Sequence, residues 1–154
     1  MSRYLLRASE IAARPEVRRQ HQFNANAVRW TRTLSEATGL SRIGVHLIRL
    51  APGNDSTQLH FHEADEEFIY VLSGRGIAEI GDERFEVGAG DFMGFPTPSL
   101  GHSLTNPFDR DLVYLVGGER NPNDIVHYPR IRRSMIKGHL PHRFVDWDDL
   151  HPVP

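Results

Sequence analysis

The sequence predicts an all-β sandwich or barrel, and three observations carry that prediction. About eight short apolar or alternating runs follow one another between Ile43 and Val116. Turn signals rich in glycine, proline, asparagine and aspartate separate them roughly every 8–12 residues, the spacing of sandwich and barrel strands. No long segment repeats its apolar residues with the 3.6-residue period of a helix.

The elements are expected in the following order. Residues 1–39 read as an N-terminal arm, in which Ser9 to Ala13 suits a short helix limited by Pro15. Ile43–Leu50 (IGVHLIRL) is the first strand, ended by Ala51-Pro-Gly-Asn-Asp55. Thr57–His62 and Phe68–Leu72 follow, the latter stopped by Ser73-Gly74. Ile77–Ile80 and Arg84–Val87 flank Gly81-Asp82-Glu83, a hairpin signal. Phe92–Phe95, His102–Thr105 and Leu112–Val116 complete the series. Residues 40–117 are therefore the expected barrel, and 118–154 a C-terminal extension on the barrel or on a partner subunit. That extension is basic through Arg130, Arg132, Arg133, Lys137, His139, His142 and Arg143, then acidic through Asp146, Asp148 and Asp149. It reads as a solvated arm, with anion binding as the alternative.

Composition bounds the chemistry. A chain of 154 residues is the size of one domain and can bury a core without covalent staples. A net charge of -2 argues against general affinity for nucleic acid or an anionic membrane. The absence of cysteine excludes disulfide scaffolds, thiolate metal sites and thiol catalysis. No apolar run approaches the roughly 20 residues of a membrane span or the roughly 7–15 of a secretory core, so a soluble cytoplasmic protein is the expectation.

The chemistry concentrates in Gly53 to Gly74. Residues i and i+2 of a strand share a face, so His60 and His62 point together, with Phe61 opposite. Glu67 opens the next strand and offers an anionic oxygen. His102, in Gly90-Asp-Phe-Met-Gly-Phe-Pro96-Thr-Pro-Ser-Leu-Gly-His102-Ser-Leu-Thr-Asn106, adds a third imidazole. Three imidazoles and one carboxylate suit one divalent transition metal ion (Fe, Mn, Ni, Co, Cu or Zn) better than Mg or Ca.

These residues resemble the cupin superfamily. Gly53, His60, His62, Glu67 and Gly74 match its first motif, and Gly90, Pro96, His102 and Asn106 its second. The segment after Pro96 is one residue longer than the pattern, and Pro98 stands where glycine is usual. The flanks are similar to stand-alone bacterial cupins of mostly uncharacterised role. The resemblance implies a double-stranded β-helix with the metal inside it, held by His60, His62, Glu67 and His102. It also implies a homodimer, in which each N-terminal arm lies across its neighbour.

Other residues are weighed against this site. The spacing to Gly74 favours Glu67 over Glu66 as the carboxylate. Glu63 and Asp65 read as loop solvation. Gly53, Gly74, Gly81, Gly88 and Gly90 read as turn formers, and Asn106 as tying a turn. His46 shares a face with Ile48 and Leu50; it is the candidate acid or base if that face lines the barrel. Gln58 shares the parity of His60 and His62 and is expected in the same cavity. Tyr70, Tyr114 and Tyr128 are candidate substrate donors, with core packing as the alternative. His21, His127, His139, His142 and His151 are expected at the surface.

The leading functional expectation is a metal-dependent enzyme on a small polar organic molecule with adjacent oxygen ligands. Oxygenase, isomerase, lyase and decarboxylase chemistry all remain open. The alternative is a cupin that binds a sugar or carboxylate without turning it over, and a third reading is a structural dimer piece.

Overall fold

The computed structural model describes residues 4–138 and 141–153; His139 lies outside them. In chain order the elements are α1 (Ala8–Ala13), β1 (Val17–His21), β2 (Asn24–Thr33), α2 (Ser35–Thr38), β3 (Ile43–Leu50), β4 (Phe61–His62) and β5 (Glu67–Ser73). They continue with β6 (Arg75–Ile80), β7 (Glu83–Gly88), β8 (Phe92–Phe95), β9 (His102–Thr105), β10 (Leu112–Glu119), β11 (Ile125–Tyr128), β12 (Arg133–Ile136) and β13 (Arg143–Asp146). Among the described residues no helix is long and apolar enough to cross a membrane.

The strands form antiparallel sheets of order β1-β2-β3-β10-β5-β8, β13-β12-β11-β4 and β7-β6-β9. Bridges pair His60 with His102 and Asp55 with Thr105, so the sparsely paired stretch before β4 is tied to β9. The architecture is a double-stranded β-helix. Period-two alternation sets its inside: Ile48 and Leu50 of β3, Ile69 and Val71 of β5, and Leu112 and Tyr114 of β10 are buried. With Met93, Phe95 and Leu104 they make an apolar floor. Leu50, Val71 and Leu112 have no exposed surface. Truncating such a leucine costs about 2–5 kcal/mol, so this floor is a stiff base for the site above it.

Both terminal segments contribute strands of their own. β1 and β2 extend the large sheet by pairing with β3, with Thr31 opposite Ile48 and Thr33 opposite His46. β11 pairs with β4, so the C-terminal strands hold the segment that carries His62. The basic and acidic stretches of the tail are complementary halves of one hairpin: Arg133 faces Asp146 in the β12–β13 register and pairs with it, and Arg132 Nη2 lies 2.6 Å from Asp148 Oδ1. Charge masked the strands, because β11 is short and has only two inward residues, Val126 and Tyr128, to show its alternation. The expected strand Thr57–His62 shrinks to β4, though His60 and His62 keep their shared side.

Candidate metal centre

Three histidines converge on one carboxylate oxygen. Glu67 Oε2 lies 3.4 Å from His60 Nε2, 3.3 Å from His62 Nε2 and 3.2 Å from His102 Nε2. The three rings come from the β4 segment and β9, and Glu67 from the start of β5. Ligand atoms of His60, His62 and Glu67 all lie within 4.8 Å of one another. Phe95 stacks on the His102 ring with centroids 3.6 Å apart and planes 5° from parallel, which fixes that ring's plane. The extra residue after Pro96 therefore leaves His102 at the cluster.

The outward ring nitrogens decide what the inward ones can do. His60 Nδ1 is 3.0 Å from the Gln58 carbonyl and His102 Nδ1 is 3.2 Å from the Leu100 carbonyl. A carbonyl only accepts, so both Nδ1 atoms carry hydrogen. His62 Nδ1 donates to the Asp124 carboxylate at 2.7 Å. In the neutral rings each Nε2 is then a lone pair, and all three face an anionic oxygen. Acceptors aimed at acceptors in a half-buried site call for a cation or protons between them. These four groups can hold a first-row divalent ion, with outward hydrogen bonds fixing the tautomers as in metal-ligating histidines generally.

The electrostatics agree. Burial would raise Glu67, but without a metal the protons that the three histidines can present to it hold it well below the usual carboxylate range. Burial pushes His60 down, with Glu67 opposing. Burial also pushes on His62, but the Asp124 and Glu67 carboxylates outweigh it and lift His62 to about 9. The cluster attracts positive charge even before a ligand arrives.

A cupin-domain family model matches residues 46–118. A crystal structure from Acidithiobacillus ferrooxidans, provisionally named a sugar phosphate isomerase, is 36% identical, with a TM-score of 0.95 over 99% of this chain and 97% of that one. The chain belongs to the cupin superfamily. A cupin from Silicibacter pomeroyi, named a sugar phosphate isomerase, is 28% identical, with a TM-score of 0.82 over 94% of each chain. A predicted oxalate decarboxylase from Thermotoga maritima is 24% identical at a TM-score of 0.61, covering 76% of this chain and 99% of that one, a likeness of fold alone. An uncharacterised protein of Methanocaldococcus jannaschii is 39% identical over 57 residues, which are 37% of this cupin and 45% of that protein.

Two connected cavities meet at the cluster. One, of about 210 Å³, is lined by His60, His62, Glu67, His102, Tyr114 and Tyr128 among others. The other, of about 520 Å³, runs from Glu67 past His46 to β1 and β2. His46 thus sits in a cavity of this cupin, its Nδ1 3.2 Å from Thr33 Oγ1, and burial pushes its pKa down. Tyr114 is 2% exposed and lines the inner cavity, with burial lifting its hydroxyl to about 12. Two candidates fall outside. Tyr70 points to the outer face of β5 and is 39% exposed, since it is three residues from Glu67 and so of opposite parity. The side chain of Gln58 lines neither cavity; irregular backbone before β4 breaks the alternation, and Gln58 contributes its carbonyl to His60 instead.

Several residues of the site were missed in the sequence. His21, expected at the surface, lines both cavities and packs edge-on against Tyr128 at 5.4 Å. Burial, aided by the charges of His60 and Arg29, lowers it to about 4. Asp124 has a fully buried side chain and receives His62 Nδ1, the Ala64 and Asp65 amides and Lys137 Nζ. Asp65, read as loop solvation, is 2% exposed and pairs with Lys137. His62, Asp65 and Asp124 also form an acidic cluster, but Lys137 Nζ binds both of its carboxylates, so this is an ammonium site. Lys137 lies 70 residues from Glu67 in sequence, and no local pattern announces it. His127, also expected at the surface, is half-buried and bonds Ser134 Oγ and Glu63 Oε1, each at 2.7 Å. His142 and His151 are exposed, as expected.

Proposed function

We propose that this cupin is a metal-dependent isomerase of a small polar hydroxy-carbonyl compound of the sugar phosphate class. One observation carries the reading: three imidazole Nε2 atoms and one carboxylate converge at the end of a polar cavity. The names of the two similar proteins from Acidithiobacillus ferrooxidans and Silicibacter pomeroyi support the reaction class. A divalent ion held by His60, His62, Glu67 and His102 would supply Lewis acidity toward a carbonyl or hydroxyl oxygen of the substrate.

The chain's own residues supply proton handling. In aldose–ketose isomerisation a proton leaves C2 and returns at C1, a hydrogen moves between the two oxygens, and no net oxidation occurs. His46 is the candidate base: burial keeps it neutral at pH 7, so it can accept a proton. His21 Nδ1 accepts the Phe23 amide at 3.2 Å, so the neutral ring carries hydrogen on Nε2 and can donate to a substrate oxygen. Phe23 packs against Phe144 at 4.9 Å and Tyr128 at 6.0 Å, an aromatic cluster behind the cavity-lining His21 and Tyr128. A homodimer and a cytoplasmic location, expected from the sequence, belong to this reading as well; size-exclusion elution at monomer mass would remove the first.

The test combines metal analysis with turnover. Purified protein should carry about one transition metal ion per chain, and His60→Ala should lose it. The metal-loaded protein should interconvert members of an aldose and ketose phosphate panel and incorporate solvent deuterium at the shifted carbon. No conversion and no deuterium incorporation across the panel would refute the isomerase reading. A ligand-dependent rise in melting temperature without product would favour the binding cupin instead.

A further inference from the structure

We propose that Arg29 and Thr31 of β2 form an oxyanion subsite that holds the phosphate or carboxylate end of the substrate while its other end reaches the histidine–carboxylate cluster. The proposal rests on the cavity being the substrate site, and it adds the residues that select an anionic substrate.

β2 alternates Ala27, Arg29, Thr31 and Thr33 inward with Val28, Trp30 and Arg32 outward. Inward positions of a barrel strand are ordinarily apolar, yet three in succession here are polar and line the cavity that contains Glu67. Thr33 is used by His46. The other two are not used up. Arg29 is half-buried, and among the described residues its side chain makes one hydrogen bond, from Nη1 to the Ser56 carbonyl at 3.2 Å. A guanidinium has five N–H donors. Among the described residues no carboxylate lies within 4.0 Å of Arg29, whereas its outward neighbour Arg32 pairs with Glu16 at 3.0 Å. A partly desolvated guanidinium without an acid is a bidentate receptor for an oxyanion.

Thr31 makes the second, independent observation. It is 7% exposed, and its Oγ1 is buried with no hydrogen-bond partner. A buried hydroxyl left unpaired is costly, and such groups are rare in native proteins. Its place two residues from Arg29, on the same face and in the same cavity, is explained by a ligand oxygen that meets both. The cavity's charge favours an anion too: Glu67 is its one acidic lining residue, already surrounded by histidines, and Arg19 adds a second guanidinium beside that of Arg29. The field of Arg29 reaches across the cavity, since it helps depress both His21 and His46.

Isothermal titration of the metal-loaded full-length protein with sorbitol 6-phosphate, gluconate, inorganic phosphate and neutral sorbitol tests the proposal. Sorbitol 6-phosphate or gluconate should bind more tightly than sorbitol, and whichever is tighter names the oxyanion. Arg29→Gln should weaken the anionic ligand by about 10–100-fold and leave sorbitol unchanged. Thr31→Val should weaken it by about 3–10-fold while the melting temperature of the free protein stays level or rises, because an unmet hydroxyl has gone. That combination separates ligand binding from a structural role, and it decides the matter if Arg29→Gln does not fold. Equal affinity for the anionic ligands and sorbitol, or wild-type affinity in Thr31→Val together with a lowered melting temperature, would overturn the subsite. Arg29-dependent binding in a protein that isomerises nothing would keep the subsite and remove the isomerase reading. Arg29-independent binding in an active isomerase would do the reverse.

Discussion

Replacing Asp124 with asparagine exchanges a buried carboxylate for an amide of the same shape, two bonds removed from the proposed metal. Oδ1 accepts the Ala64 and Asp65 amides at 2.9 and 3.3 Å, and Oδ2 accepts His62 Nδ1 at 2.7 Å and Lys137 Nζ at 2.8 Å. An amide has one acceptor oxygen. If it stays with the two backbone amides, its NH2 group confronts an imidazole N–H and an ammonium. His62 can relieve the clash by moving its hydrogen to Nε2, which removes one lone pair from the cluster. Breaking a buried ion pair costs about 3–5 kcal/mol, and Lys137 keeps Asp65, so the low end, about 3 kcal/mol, is expected. At about 2–4 °C per kcal/mol the metal-free variant should melt about 6–12 °C lower. Metal affinity should fall about 10–100-fold, the usual effect of losing a carboxylate behind a ligating histidine. Competition with a chromophoric chelator measures the affinity, and nitrogen-15 NMR of the imidazole reads the tautomer. Wild-type affinity with His62 still protonated at Nδ1 would show that Asp124 does not set the His62 tautomer.

Three further outcomes follow from named contacts. Lys137→Met leaves Asp65 without its ammonium partner and Asp124 with His62 alone, which should cost about 3–5 kcal/mol in urea unfolding at pH 7. Folded His21 titrates near 4 against 6.5 for a free imidazole, so the unfolded chain binds the proton first as pH falls. The stability from neutral His21 is therefore present above about 6.5 and is lost as pH falls from there toward about 4. His21→Phe should flatten melting temperature against pH in that window, and an unchanged slope would count against the burial of His21. Gly74 has φ +81°, and a Cβ there would lie 2.2 Å from the Asp111 carbonyl oxygen. Gly74→Ala should cost about 3 kcal/mol or more by chemical denaturation.

The central barrel was legible because its strands obey simple alternation and end at glycine and proline turns. β3, β8 and β9 match the expected Ile43–Leu50, Phe92–Phe95 and His102–Thr105, and Asn106 ties its turn by donating to the Leu50 and Arg110 carbonyls. The flanks were not legible. β2 carries polar residues inward, at Arg29, Thr31 and Thr33, so the pattern that marks a core strand is inverted where the cavity lies. β11 to β13 are marked by charges whose partners lie across the hairpin, as Arg133 with Asp146, or on distant strands and loops, as His127 with Glu63, relations that composition does not reveal. The four clustered groups were visible from strand parity and motif spacing together. Asp124 and Lys137 were invisible because their role arises from burial beside His62, and burial of an acid is set by tertiary packing. Tyr70 and Gln58 failed for opposite reasons: parity excluded the first, and irregular backbone cancelled the parity of the second.

An anomalous difference map from metal-loaded crystals, recorded on both sides of the metal's absorption edge, shows directly whether the histidine–carboxylate cluster holds the ion. One peak per chain is expected, bonded to the Nε2 atoms of His60, His62 and His102 and to a carboxylate oxygen of Glu67. A peak at Asp65 and Asp124, or no peak with the three imidazoles turned away from Glu67, would mean that the cluster is not a metal centre.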